Sequence, residues 1–174
     1  MKNIFYQLLV TLSFCIVGLT SNAQRVALVD VTAILDNISD YQAAQNEIDE
    51  ISAKWRQEIA QEYDKIKSMY NKYQAEKVLL SDDIIRERED EIAAKEREVR
   101  ELQKRRFGPE GDLFRRRQEL ISPIQDQVYT AIEDYAKNKG FDIILDRSSA
   151  VGLLYSNQEF DKTEEIKREL GISN

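Results

Sequence analysis

Apolar positions in this chain follow two rhythms. Three short runs, "RVALVD" (25–30), "FDIILD" (141–146) and "AVGLLY" (150–155), are compact, rich in aliphatic residues and bounded by polar turns, the pattern of short strands. Between the first two, apolar residues recur in steps of three or four: Ala44, Ile48, Ile51, Trp55, Ile59, Tyr63, Ile66, Tyr70 and Tyr73. They draw one stripe along a helix from Tyr41 to about Leu80, close to a coiled-coil seam. No Gly or Pro interrupts it, and about 40 residues at ~1.5 Å each span roughly 60 Å, so the helix must project from any small body.

"LLSDD" (79–83) is the predicted turn, with Ser81 or Asp82 capping the helix that follows. Beyond it the stripe thins to Ile85, Ile92 and Val99, seven apart, with Leu102 beside them, which predicts a flexible, solvated hairpin tip. Gly108 and Pro109 should kink or break the return helix. The stripe resumes at Leu113, Leu120, Ile121, Ile124, Val128, Ile132 and Tyr135, with Pro123 as a second expected bend. "KNKG" (137–140) should stop it. Two short helices complete the reading. One covers 31–40 with a break at 37–40, where Ser39 or Asp40 would cap the next helix. The other is "DKTEEIKREL" (161–170), capped by Asp161 or Thr163 and ended by Gly171.

The expected fold is α+β: a long antiparallel α-helical hairpin on a small β body. The body is built from 24–40 and 139–174 and the hairpin from 41–138, with its turn near 79–83. Three strands per chain make a marginal sheet with open edges, so the economical solution is closure with further copies.

The first 23 residues change the picture. Lys2, the apolar run from Ile4 to Leu19, and small Ser21 and Ala23 form the layout of a secretory signal peptide, with cleavage expected after Ala23. The sequence has no His, and its only Cys is Cys15, inside that leader. The mature chain from Gln24 therefore offers no disulfide, thiol nucleophile, thiolate or imidazole metal site, and none of the commonest general base. No spacing of charged groups suggests a catalytic centre, and Asp142 and Asp146 read as the polar face of a strand. No enzyme, metal or cofactor is expected. The formal net charge is −7, which argues against nucleic acid as a partner.

The candidate binding residues are Trp55, Ile59, Tyr63, Ile66, Tyr70 and Tyr73, a stripe suited to many weak contacts with unfolded segments. The same stripe can pack the two helices together, the reading that helical spacing favours for most of these positions. Gly108 and Pro109 read either as a hinge or as a static kink. Basic clusters at 104–106 and 115–117 leave room for weak membrane-surface contact, although a solvated face is the simpler reading.

Three stretches, "VALVDVTAIL", "ELISPIQDQVYTAIEDYAKNKGFDIILDRSSAVGLLY" and "DKTEEIKREL", together with the helical middle, resemble the Skp/OmpH family of periplasmic chaperones over almost the whole mature chain. The resemblance implies a homotrimer with a small β-barrel body and three helical tentacles around a cavity. It implies an ATP-independent holdase for unfolded outer-membrane proteins. The best-known members are strongly basic, whereas this chain is acidic. A second class of function is a structural envelope protein whose hairpins dock one fixed partner. The thin seam between Ile84 and Val99 favours the first, since a rigid spacer would want continuous apolar heptads.

Overall fold

The computed structural model describes residues 24–149 and 152–172. The expected leader, residues 1–23, lies outside them. In chain order the elements are β1 (Val26–Val29), α1 (Val31–Leu35), α2 (Ser39–Glu76), α3 (Asp82–Phe107), α4 (Asp112–Lys139), β2 (Ile143–Asp146) and α5 (Thr163–Glu169). The described residues are mostly helix, as the hydrophobic rhythm predicts, with a sheet of two strands where three were expected.

α2 and the α3–α4 pair form the hairpin. Its turn is a short 3-10 segment, Lys77–Leu79, followed by Leu80 and Ser81, the residue before α3. At ~1.5 Å per residue the 38 residues of α2 extend about 57 Å. α3 and α4 follow one another back along it. Each helix buries a line of residues seven apart: Ile59, Ile66 and Tyr73 on α2, Ile92 and Val99 on α3, and Ile121, Val128 and Tyr135 on α4. A seven-residue repeat holds its seam against the partner through left-handed supercoiling. The seam is narrow but closed as far out as Tyr73 and Ile92, with Ile85 and Leu80 packed at its end.

Of the local expectations, the cap of α2 needs correction. α2 begins one residue earlier than its expected caps allow. Ile38 holds the N-cap position with no side-chain bond, and Asp40 lies in the first turn, where its charge still suits the helix dipole. α4 runs through Pro123 as one assigned helix. The interruption at Gly108 and Pro109 is complete: α3 ends at Phe107 and α4 starts at Asp112. Gly140 ends α4 in the left-handed conformation (φ 70°), and the Phe141 N–H returns to the Ala136 carbonyl at 2.9 Å.

The sheet differs most from expectation. β1 and β2 pair in parallel, with Val26 opposite Ile143 and Val29 opposite Asp146. On its other edge β1 is met by Asp161 through an isolated bridge, and Lys162 N–H donates to the Leu28 carbonyl at 2.8 Å. The expected third strand does not form over 152–155. Residues 150–151 of that run lie outside the described residues. The segment before α5 instead meets the free edge of β1, and Leu154 is left 97% exposed.

The phase of β2 is also the reverse of the expected one. Ile143 and Leu145 face outward, while Ile144 packs on the core. Asp146 turns inward and is not a solvated polar residue. It accepts from Ser148 N–H at 2.9 Å, from the Ser148 and Ser149 hydroxyls at 2.7 Å each, and from Val31 N–H at the start of α1 at 3.3 Å. Burial pushes its carboxyl up, but these donors outweigh burial and hold it below the usual range.

The body core gathers Val29, Val31, Ile34, Leu35, Val128, Tyr135 and Ile166, from β1, α1, α4 and α5. Asp30 ties these elements together. Its carboxylate caps α1 by accepting from Ala33 N–H at 2.8 Å, and its own N–H donates to Thr163 Oγ1 at 2.9 Å. Asp161 in turn accepts from the N–H and hydroxyl of Thr163, but the N-cap position of α5 is held by Lys162 with no side-chain bond, not by Asp161 or Thr163 as expected.

Candidate functional site

The six candidate residues of α2 divide by their position on the helix. Ile59, Ile66 and Tyr73 belong to the seam and touch the α3 line at Ile92 and Val99. Tyr73 is 5% exposed, and its hydroxyl donates to Glu89. Trp55 is half-buried. Phe107 meets its ring edge-on at 6.3 Å between centroids, and the Arg106 guanidinium lies over it at 4.6 Å. Tyr63 and Tyr70, seven residues apart, stay outside the seam at 45% and 51% exposed. They form a short aromatic line on the flank of the hairpin. Tyr63 reaches Gln103 at 3.3 Å, and Tyr70 meets Tyr73 edge-on.

Other exposed apolar residues were not singled out from the sequence. Phe114 and Tyr129 stand on α4, and Val78 and Leu79 stand at the hairpin turn. Phe114 lies on the heptad line of Ile121, Val128 and Tyr135, so its spacing alone signals burial. It is nonetheless 45% exposed, just after the break at Gly108–Gly111. On the body, Ile143, Leu145, Leu154 and Tyr155 are exposed.

The flanks of the seam are charged. Glu62 on α2 is held between Lys65 Nζ at 2.6 Å and Lys95 Nζ of α3 at 2.8 Å. The bonds from Lys65 and then Lys95 hold its carboxyl at about 2, well below the usual carboxylate range. Arg116 of α4 bridges to Glu47 of α2. In the body, burial and the bond to Glu165 raise the Tyr135 phenol, and that bond lowers the Glu165 carboxyl.

The joint at Gly108 and Pro109 is tightly built. Gly111 N–H donates to the Gly108 carbonyl at 2.9 Å, closing a turn with Pro109 at its second position, where its fixed φ fits. A Cβ on Gly108 would run into the Lys104 carbonyl, and one on Gly111 would stand 2.7 Å from the Arg105 carbonyl. An alanine at Gly108 would therefore displace backbone. Arg106 braces the joint, with Asp112 at 2.8 Å and Glu58 at 3.6 Å.

Among the described residues no group of His, Cys, Asp or Glu could hold a metal ion, and no helix is long and apolar enough to cross a membrane. The open hollows lie along the hairpin and at its base. One of about 550 Å³ beside the joint is lined by Lys104, Arg105, Pro109 and Arg115 among others. Extended side surfaces of this kind suit contact with another polypeptide better than capture of a small molecule.

No curated protein matches the chain. Among solved structures, a candidate outer membrane chaperone (OmpH-like) from Caulobacter crescentus CB15 matches with a TM-score of 0.65 and 15% identity, covering 85% of this chain and 84% of that one. At that identity the likeness concerns the fold, and it extends over hairpin and body together. The family described as "Outer membrane protein (OmpH-like)" matches residues 25–170, from the residue before β1 to the end of α5, and the chain belongs to that family.

Proposed function

We propose that this protein is a periplasmic, ATP-independent holdase that shields unfolded outer-membrane proteins between the hairpins of a homotrimer. In this reading 1–23 is a signal peptide cut after Ala23, 24–40 and 139–174 form the body, and 41–138 form the tentacle. The observation that carries the reading is the exposed pair Tyr63 and Tyr70, held on the flank of a hairpin of about 57 Å. Aromatic side chains offer contact area at low entropic cost, and spread along a rod they can hold many unrelated segments weakly. Trimerisation is supported by the outward apolar face of β2 and by exposed Leu154 and Tyr155, which further copies of the body would cover. The family membership and the described role of the Caulobacter relative point the same way.

The test is light scattering of a urea-unfolded outer-membrane β-barrel protein diluted into buffer with the chain from Gln24, at low and high salt. Aggregation should be suppressed near one trimer per client, by mass action on the soluble unfolded form. No suppression across several clients would end the holdase reading and favour a docking coiled coil with one fixed partner. A folded monomer at micromolar concentration in analytical ultracentrifugation would remove the trimer.

A further inference from the structure

Two polar side chains, Ser52 and Arg106, stand on the apolar lines of the seam at the joint; Glu62, the other residue with a buried carboxylate oxygen along the hairpin, is held by Lys65 and Lys95. On α2 the line of Tyr73, Ile66 and Ile59 continues, seven residues earlier, to Ser52. On α3 the line of Ile85, Ile92 and Val99 continues, seven residues later, to Arg106. Ser52 is 4% exposed, and its hydroxyl has no hydrogen-bond partner among the described residues. The Arg106 Nε is likewise buried and unpaired, although the outer nitrogens of the same guanidinium reach Asp112 and Glu58. Arg106 contacts Trp55 and Glu58, the turn of α2 between Ser52 and Ile59. The two polar positions are therefore consecutive levels of one seam. They separate an apolar segment toward the tip, Ile59 to Tyr73 with Ile92 and Val99, from one toward the body, Ala44 and Ile48 with Ile121. The helix break at Gly108–Gly111 falls at the same height.

We propose that this level is a built-in opening point of the hairpin, latched by Arg106. α2 is continuous past it, so the return arm is the part that parts and recloses. Two features make the level weak. Buried polar atoms without partners forfeit the water bonds they had when open. Opening here exposes only the half-buried rings of Trp55 and Phe107, not a fully buried aliphatic side chain. Beside the edge-on Trp55–Phe107 contact, the fastening is one guanidinium, which joins α2 to the first residue of α4 through Glu58, Asp112 and the Trp55 ring. Those are charge–charge and cation–π contacts on partly exposed groups, so salt should weaken them. The inference rests on the seam alone and stands or falls independently of the holdase reading.

Residue-resolved hydrogen exchange on the chain from Gln24 tests it. In the wild type, amides at 50–57 should exchange at least about tenfold faster than those at 60–73, and the gap should widen with salt. Arg106→Ala should speed exchange at 50–57 and 106–116 and leave 121–135 unchanged. Arg106→Lys, which keeps the charge but loses the planar fork, should fall between the two. Ser52→Ile should slow exchange at 50–57. Arg105→Ala, one residue off the seam, is the control and should do nothing. Uniform exchange along α2 in the wild type would overturn the proposal, as would Arg106→Ala and Arg106→Lys profiles that match it. Should Arg106→Ala fail to fold, Arg106→Lys and Ser52→Ile still decide.

Discussion

Body and hairpin bury similar side chains by different means. In the body, Ile34, Val29, Val128, Tyr135 and Ile166 come from four elements spread over most of the chain, and each is enclosed from several sides. In the hairpin, a seam residue such as Ile66 has one partner helix and solvent on either flank, screened only by charged side chains such as Glu62 and Lys95. The body can be lost only as a whole. The hairpin can be lost a turn at a time, because each level depends mainly on its neighbours. In the proposed reading, where the body holds an assembly while the hairpins adapt to clients, both kinds of packing are needed.

Equivalent substitutions in the two regions would break this comparison most directly. Ile34→Ala removes a side chain with no exposure and should destabilise the whole chain by about 2–5 kcal/mol. Ile66→Ala should sit at the low end of that range, and its exchange effect should be confined to α2 and α3. Urea unfolding combined with hydrogen exchange reads both, and a global loss from Ile66→Ala would erase the distinction.

A smaller effect sharpens the role of the charged flanks. The folded carboxyl of Glu62 is depressed, so its contribution is complete above the ordinary carboxylate value near 4.5 and is lost as pH falls toward about 2. Glu62→Gln should flatten that acid limb of the hairpin's thermal melting while leaving the body's limb as it was. An unaltered acid limb would show that the flanking pairs do not support the seam. The smallest effect on stability belongs to Tyr63→Ala with Tyr70→Ala, expected to stay within about 0.5 kcal/mol per site because both are exposed. The same pair should cut aggregation suppression severalfold. If it costs stability instead, these rings are packing residues.

The hairpin was legible because its signal is local. Steps of three and four, the turn (expected at 79–83 and found at 77–81) and the Gly108–Pro109 break can all be read within a few turns of helix. The fate of each aromatic was less legible. Tyr70 and Tyr73 both fit the stripe, yet three residues of helix separate a side chain on the flank from one in the seam, and only the partner's position decides which is which. The sheet was the least legible part. Alternation over 141–146 has two phases, and the sequence alone cannot choose between them. The aspartates drew the polar face to the outside, but the donors of Ser148, Ser149 and Val31 make Asp146 an inward group. Asp161 at the free edge of β1 could not be foreseen either. It pairs through backbone, and nothing in a side-chain pattern marks it.

The pairing of β1 with β2 also sets an order of events. Val26 and its partner Ile143 stand at opposite ends of the described chain, with the entire hairpin between them. Closing so long a loop is slow, whereas neighbouring turns of α2 and α3 can zip from the bend within the time of local helix growth. A chain threaded N-terminus first through a membrane pore therefore delivers "VALV" long before its partner strand arrives. Until then the first strand has no edge to join, and the hairpin is finished before the body that will carry it.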